Sequence, residues 1–225
     1  MTKVRFSSLD GVFELIEELG ADPADVMAGV RLPGKYLDPE HNTQYIDFEQ
    51  AERLLQAAAD VTECDYFGAL LGTRQELTIL GLLGHVMQLS PNIEAALREL
   101  ITYLSMQIPS GASIRLDSAG KYASVIYRVS GDHPFVKQSN ELALSEISHF
   151  LGILCGFGWR PIEVHFAHKN RSERAPYRKL FGAPVKYAVT FSSGLEVATG
   201  TEGFFACTSQ CLIAMRIALS FTRKY

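Results

Sequence analysis

The polar side chains best placed to bind or transfer a chemical group lie four residues apart, at Glu141, Ser145 and His149. In an α-helix this spacing places all three on one face. The carboxylate and the imidazole could hold the polar end of a ligand, and the small serine leaves room for it. The same stripe could instead face water, as polar helix faces commonly do. The sequence leaves both interpretations open.

Aromatic residues around this segment could form the apolar wall of a pocket, since ligand sites are lined mostly by hydrophobic and aromatic side chains. They are Tyr127, Phe150, Phe157, Trp159 and Phe166. Each residue type is also common in an ordinary core. Our hypothesis is that these five and the polar stripe together form a ligand-binding site.

No spacing of nucleophiles, bases and acids indicates catalysis. The chain lacks a G-x-S-x-G elbow, a phosphate-binding glycine loop, a dinucleotide fingerprint and an H-E-x-x-H metal motif. Cys207 and Cys211 are four residues apart, but a metal site needs further ligands beside them. We therefore expect no enzymatic activity, no cofactor and no metal.

A haem-type gas sensor is a weaker alternative. The order of elements is loosely similar to that of haem–nitric oxide binding domains, and His85 lies in a helical segment. Those domains hold the haem propionates with Tyr-x-Ser-x-Arg, whereas Tyr103-Leu104-Ser105-Met106-Gln107 has no arginine. The propionates would lack a charge-assisted partner there, so we expect His85 to be a core or surface residue.

Charge is distributed unevenly along the chain, although the net charge is only −4. Residues 151–225 hold ten Lys and Arg against four Glu, which leaves eleven against twenty-one acidic residues in 1–150. Five of the basic residues lie close together in sequence: Lys169, Arg171, Arg174, Arg178 and Lys179. They form either a solvated corner or a docking surface for a partner or an anionic ligand.

Compartment and membrane signals point to a cytoplasmic protein. The N-terminus lacks the apolar core and cleavage site of a signal peptide, and four scattered cysteines are typical of free thiols in a reducing compartment. No apolar run reaches the ~18–20 residues of a membrane span.

Periodicity predicts an α+β fold with an N-terminal helical bundle over residues 1–108. An antiparallel four-stranded sheet over 109–198, in the order β-β-α-β-α-β, is backed by a long helix that begins at Asn140 and ends near Gly156. Residues 1–198 are expected to be one domain. The remaining residues, 199–225, are predicted to be a helical tail with an apolar helix over 207–221.

Two motifs resemble the N-terminal effector-binding domain of AraC-type transcription regulators, of the arabinose-binding type. The stronger combines Val164-His165-Phe166-x-His168 with Tyr177-x-x-x-Phe181-Gly182-x-Pro184-Val185, and Leu80-Gly81-Leu82-Leu83-Gly84-His85 lies upstream. The resemblance covers about residues 10–195. It implies a small-molecule effector, a homodimer, and DNA contact through a separate helix-turn-helix domain. The tail departs from the family's pattern.

DNA binding by these 225 residues is not expected. The helix predicted after Ser90-Pro91 offers Asn92 and Arg98 but also Glu94 and Glu99, which is too few donors for base edges and phosphates. We therefore expect DNA contact only through a helix-turn-helix domain absent from this chain. The alternative function is a stand-alone protein–protein interaction module with a vestigial pocket, in which the apolar tail packs on a second copy.

Overall fold

The computed structural model describes residues 3–37, 44–107, 112–119, 122–129, 136–156, 158–169, 175–187 and 212–218. Within them the chain folds into α-helices, short 3₁₀ turns and two sheets, which confirms the predicted α+β class. The described helices are α1 (Val12–Glu18), α2 (Pro23–Gly29), α3 (Phe48–Val61), α4 (Phe67–Gly72), α5 (Leu82–Leu89), α6 (Ile93–Gln107), α7 (Val136–Cys155) and α8 (Ala175–Phe181). The strands are β1 (Lys3–Arg5), β2 (Tyr45–Asp47), β3 (Ala112–Ala119), β4 (Tyr122–Val129), β5 (Glu163–Phe166), β6 (Val185–Lys186) and β7 (Leu212–Ala218).

The N-terminal helices begin where local chemistry favours a start. Asp22 caps α2, since its carboxylate accepts a hydrogen bond from the Ala24 N–H at 2.8 Å, and Pro23 occupies the first turn. Asn92 caps α6, the helix predicted after Ser90-Pro91, because its side-chain oxygen accepts a hydrogen bond from the Ala95 N–H at 2.9 Å. The helices bury an apolar face against one another, as the periodicity predicted.

The larger sheet has five strands in the order β3-β4-β7-β5-β6, so the predicted four-stranded antiparallel sheet is wrong in two respects. First, β5 and β6 are parallel. They are joined through α8, and a strand–helix–strand connection returns the chain in the same direction. Second, β7 lies between β4 and β5 and pairs antiparallel with both.

The segment that forms β7 was predicted to lie within a helix over 207–221, and this prediction is wrong for its described part. Met215 pairs with Val125 of β4 on one side and with Val164 of β5 on the other. Met215 and Ile217, two residues apart, are both fully buried. An apolar segment in the middle of a sheet satisfies its backbone hydrogen bonds through the strands on both sides. Its conformation is therefore decided by tertiary pairing rather than by local propensity. The rest of the predicted tail lies outside the described residues.

Helix α7 is the central element of the fold. It begins at Val136, four residues before the predicted start, and packs against α4 on one side and against β7 on another. The approach to α4 is close: a Cβ added to Gly68 would overlap the Gln138 carbonyl, and one added to Gly72 would lie 2.6 Å from the Leu142 carbonyl oxygen. These two glycines therefore let the backbones of α4 and α7 meet.

Candidate functional site

The polar stripe of α7 does not open into a single pocket, because each of its three residues has a different environment. Glu141 is fully buried. The Tyr177 hydroxyl donates to its carboxylate at 2.9 and 3.1 Å, and the His168 Nε2 lies 3.0 Å from its Oε1. Glu141 thus joins α7 to α8 and to the segment after β5.

Burial raises the pKa of the Glu141 carboxyl, and the neighbouring His168, Lys137 and Tyr177 offset part of that rise. Burial, followed by the Glu141 charge, raises the pKa of Tyr177, so the phenol stays protonated and acts as a donor. Glu141 borders neither of the two cavities described below.

Ser145 lies at the crossing of α4 and α7. It is buried, and its hydroxyl donates to the Ala69 carbonyl at 2.7 Å. This bond holds the two helices together at the point where Gly72 allows them to approach. One edge of Ser145 also borders an open groove.

That groove, the α7–α8 groove, has a volume of about 460 Å³ and runs between α7 and α8. Three of the predicted residues meet there: Ser145, His149 and Trp159. Burial lowers the pKa of His149, against a smaller raising effect of Glu76, so the imidazole favours its neutral form. Arg160 and Lys179 make the groove basic. Within the described part of the chain, the buried Trp159 indole N–H has no hydrogen-bond partner.

A second, more enclosed space of about 100 Å³ lies on another side of α7, and we call it the helix–sheet cavity. Its helix wall consists of Ser139, Leu142, Ala143, Glu146, Ile147 and Phe150. Facing residues include Ile114 and Tyr127 of the sheet, Leu100 of α6, and Val4 and Arg5 of β1. The lining is completed by Ser7, Ser8, Ile79 and Leu80. Two predicted residues, Tyr127 and Phe150, therefore meet here, away from the polar stripe.

Glu146 is the charged residue that sequence reasoning missed. It borders the helix–sheet cavity, and among the described residues it has neither a hydrogen bond nor an ion pair. Burial raises the pKa of this carboxyl to about 8. One signal could have revealed it: Glu146 stands between Leu142 and Phe150 in a row of residues four apart, so an acid interrupts an apolar row.

Of the two remaining predicted aromatic residues, Phe166 and Phe157, the first lies in the core. Phe166 packs at 6.3 Å from Tyr177, 6.0 Å from Phe181 and 5.6 Å from Tyr187, measured between ring centres. It is fully buried and borders neither cavity. Phe157 lies outside the described residues.

The five basic residues Lys169, Arg171, Arg174, Arg178 and Lys179, which we call the basic corner, are only partly within the described residues. Lys169, Arg178 and Lys179 are exposed, and Lys179 also borders the α7–α8 groove. Arg178 and Lys179 lie in the last turn of α8, where a positive charge is favourable for the helix dipole. Arg171 and Arg174 lie outside the described residues.

Among the described residues, no helix is both long and apolar enough to cross a membrane, and no three or more His, Cys, Asp or Glu are grouped as a metal site would require. His85 is exposed on α5 and borders neither cavity.

Comparison with known protein families identifies the class to which this α+β domain belongs. Residues 20–193 match the family described as the arabinose-binding domain of AraC transcription regulator, N-terminal. The chain belongs to this family, as its motifs indicated.

Among characterised relatives, the chain is similar to the HTH-type transcriptional regulator VirS of Mycobacterium tuberculosis, with 26% identity over 197 residues. The match covers 86% of this chain and 57% of VirS. Among solved structures, it is similar to the transcriptional regulator CdpR from Pseudomonas aeruginosa, with a TM-score of 0.56 and 12% identity. That match covers 93% of this chain and 56% of CdpR, so the chain spans a little over half the length of either regulator.

Proposed function

We propose that the chain is the effector-sensing and dimerisation domain of an AraC-family transcription regulator in the cytoplasm. A small metabolite binds in the helix–sheet cavity and controls DNA binding by a helix-turn-helix domain that is not among these 225 residues. The observation that carries the proposal is the more enclosed of the two cavities, at which Tyr127, Phe150 and Glu146 meet. Family membership and the regulator relatives support it.

The cavity is the better effector site because it joins several parts of the domain. Its walls include β1 at the N-terminus, α6, α7, and the sheet through β3 and β4. A ligand that fills it would stabilise the contacts among these elements. The α7–α8 groove is wider and more open, which suits a partner surface better than a captured small molecule.

The groove and the basic corner are proposed to dock a partner segment. Ser145, His149 and Trp159 border the groove, together with Arg160 and Lys179, so an acidic segment would find complementary charge there. The exposed Lys169 and Arg178, with Arg171 and Arg174 beyond the described residues, belong to the same proposal.

A thermal-shift screen of metabolites tests the sensing function. A ligand at 100 times its dissociation constant adds about 2.7 kcal/mol of stability, which for a chain of this size corresponds to a melting-temperature rise of roughly 5–10 °C. We expect at least one small metabolite to produce such a rise. The absence of any shift across amino acids, amines, sugars and short fatty acids would contradict the sensing function.

A stand-alone interaction module is the second candidate. The apolar tail helix that first suggested it is not seen, since the described part of that segment is β7. A different observation favours it: Leu82 and Leu89 of α5 are 80% and 84% exposed. Being seven residues apart, they lie on one helix face. Sedimentation velocity of the chain and of Leu82→Ser tests this candidate, which requires an assembly that the substitution weakens.

A further inference from the structure

The helix–sheet cavity has on its wall a carboxyl group that forms no ion pair with any described residue. Glu146 has no ion-pair partner within the described ranges. The one cation that borders the cavity is Arg5, among the residues described. Its Nε donates to the Tyr45 hydroxyl at 3.0 Å, and its guanidinium carbon lies 5.5 Å from the centre of the Tyr45 ring. Arg5 is therefore engaged with Tyr45 of β2, and it forms no ion pair with Glu146.

The rest of the wall is mainly apolar. Leu142, Ala143, Ile147 and Phe150 adjoin Glu146 on α7, and Ile114 faces them from the sheet. An apolar cavity of about 150 Å³ binds benzene, so a cavity of 100 Å³ suits a body of roughly four or five non-hydrogen atoms. Besides Glu146 and Arg5, the polar groups on this wall are the phenol of Tyr127 and the hydroxyls of Ser7, Ser8 and Ser139.

We infer that the ligand of the helix–sheet cavity is a compact organic cation, a primary ammonium group on a short apolar body, with the Glu146 carboxylate as its counter-charge. This inference rests on the proposed function. A carboxyl group in an apolar site is costly to ionise alone, and a buried ammonium group is costly for the same reason. Placed together within hydrogen-bond distance, each charge favours the ionised form of the other. A neutral or anionic molecule of equal size offers Glu146 no such compensation.

The test compares molecules of the same shape and different charge. The probes are n-butylammonium and isobutylammonium, with butan-1-ol, butyramide and butyrate as matched controls. Binding is measured by isothermal titration calorimetry at pH 7 on the full chain and on Glu146→Gln, which keeps the shape of the side chain and removes the charge. Glu17→Gln, the same exchange at an exposed position of α1, is the control variant.

We expect the ammonium probes to bind the original chain and the Glu17→Gln variant, and the Glu146→Gln variant to bind them at least tenfold more weakly. Calorimetry in two buffers of different ionisation enthalpy gives a second readout. Binding at pH 7 should release a proton, because the incoming cation favours the ionised form of Glu146.

Three results would overturn the inference. The first is binding of butan-1-ol, butyramide or butyrate as tight as that of the ammonium probes. The second is full affinity of the Glu146→Gln variant for the ammonium probes, and the third is no binding of the ammonium probes at all. In each case the proposed sensing function still stands if another metabolite in the thermal-shift screen stabilises the chain. It fails only if that screen is also negative.

Discussion

Replacing Glu146 with glutamine should stabilise the ligand-free domain at neutral pH. The folded chain raises the pKa of this carboxyl from 4.5 to about 8 through burial. Between pH 4.5 and about 8, Glu146 therefore keeps its proton in folded molecules and loses it in unfolded ones. By linkage, the free energy of unfolding is highest below pH 4.5 and falls as the pH rises towards 8.

The size of the effect follows from the pKa difference. At about 1.36 kcal/mol per pKa unit, the full change is about 5 kcal/mol, of which about 3 kcal/mol has been lost by pH 7. The carboxyl borders a cavity rather than close-packed side chains, and water in that cavity would reduce the cost of ionisation. We therefore expect Glu146→Gln to raise the free energy of unfolding by about 1–3 kcal/mol at pH 7.

Urea unfolding at pH 5, 7 and 8 measures this difference. The gap between Glu146→Gln and the original chain should widen with pH, and Glu17→Gln should follow the original chain at all three values. The reasoning is refuted if the two stability curves run parallel, or if Glu146→Gln is the less stable protein at pH 7.

Three further predictions concern packing and DNA. Gly68→Ala should lower the free energy of unfolding by about 1–3 kcal/mol or more in urea titrations, because the new Cβ overlaps the Gln138 carbonyl where α4 meets α7. Gly29→Ala is the control: its Cβ has open space around it, so the change should be neutral or stabilising by under about 1 kcal/mol. Tyr177→Phe removes a donor from the buried carboxyl of Glu141 and should cost about 1–3 kcal/mol by thermal or urea unfolding; an unchanged stability would show that this hydrogen bond contributes nothing. Fluorescence anisotropy at physiological salt should detect only weak DNA binding by these 225 residues, with no preference for promoter over random sequence, and a submicromolar sequence-dependent signal would contradict this.

Most elements of the fold could be predicted because their signals are local. The Asp22-Pro23 pair starts α2, and the alternating apolar residues of β4 continue through Val125, Tyr127 and Val129. Capping and periodicity act over a few residues, so they can be read directly from the chain. The β7 segment could not be read in this way. Leu212–Ala218 is an almost continuous apolar run, and such a run fits a buried strand or a buried helix equally well.

The candidate site was harder to predict than the fold, because it depends on which face of α7 meets which neighbour. Glu141 has the right spacing for a ligand-facing stripe, yet Tyr177 and His168 reach it from elements more than twenty residues further along the chain. Glu146 lies on another side of the same helix and borders the cavity. Helical periodicity indicates that two faces exist, and only the packed structure shows which of them is enclosed.

Filling each of the two cavities in turn tests most directly where the effector binds. Ala143→Leu places extra side-chain volume in the helix–sheet cavity, and Gly152→Leu does so in the α7–α8 groove, where a Cβ on Gly152 meets nothing within 4 Å. The measurement is the rise in melting temperature that the best ligand of the metabolite screen causes in each variant. We predict that Ala143→Leu abolishes the rise and that Gly152→Leu keeps it. The opposite pattern, with the rise kept in Ala143→Leu and lost in Gly152→Leu, would contradict an effector site between α7 and the sheet.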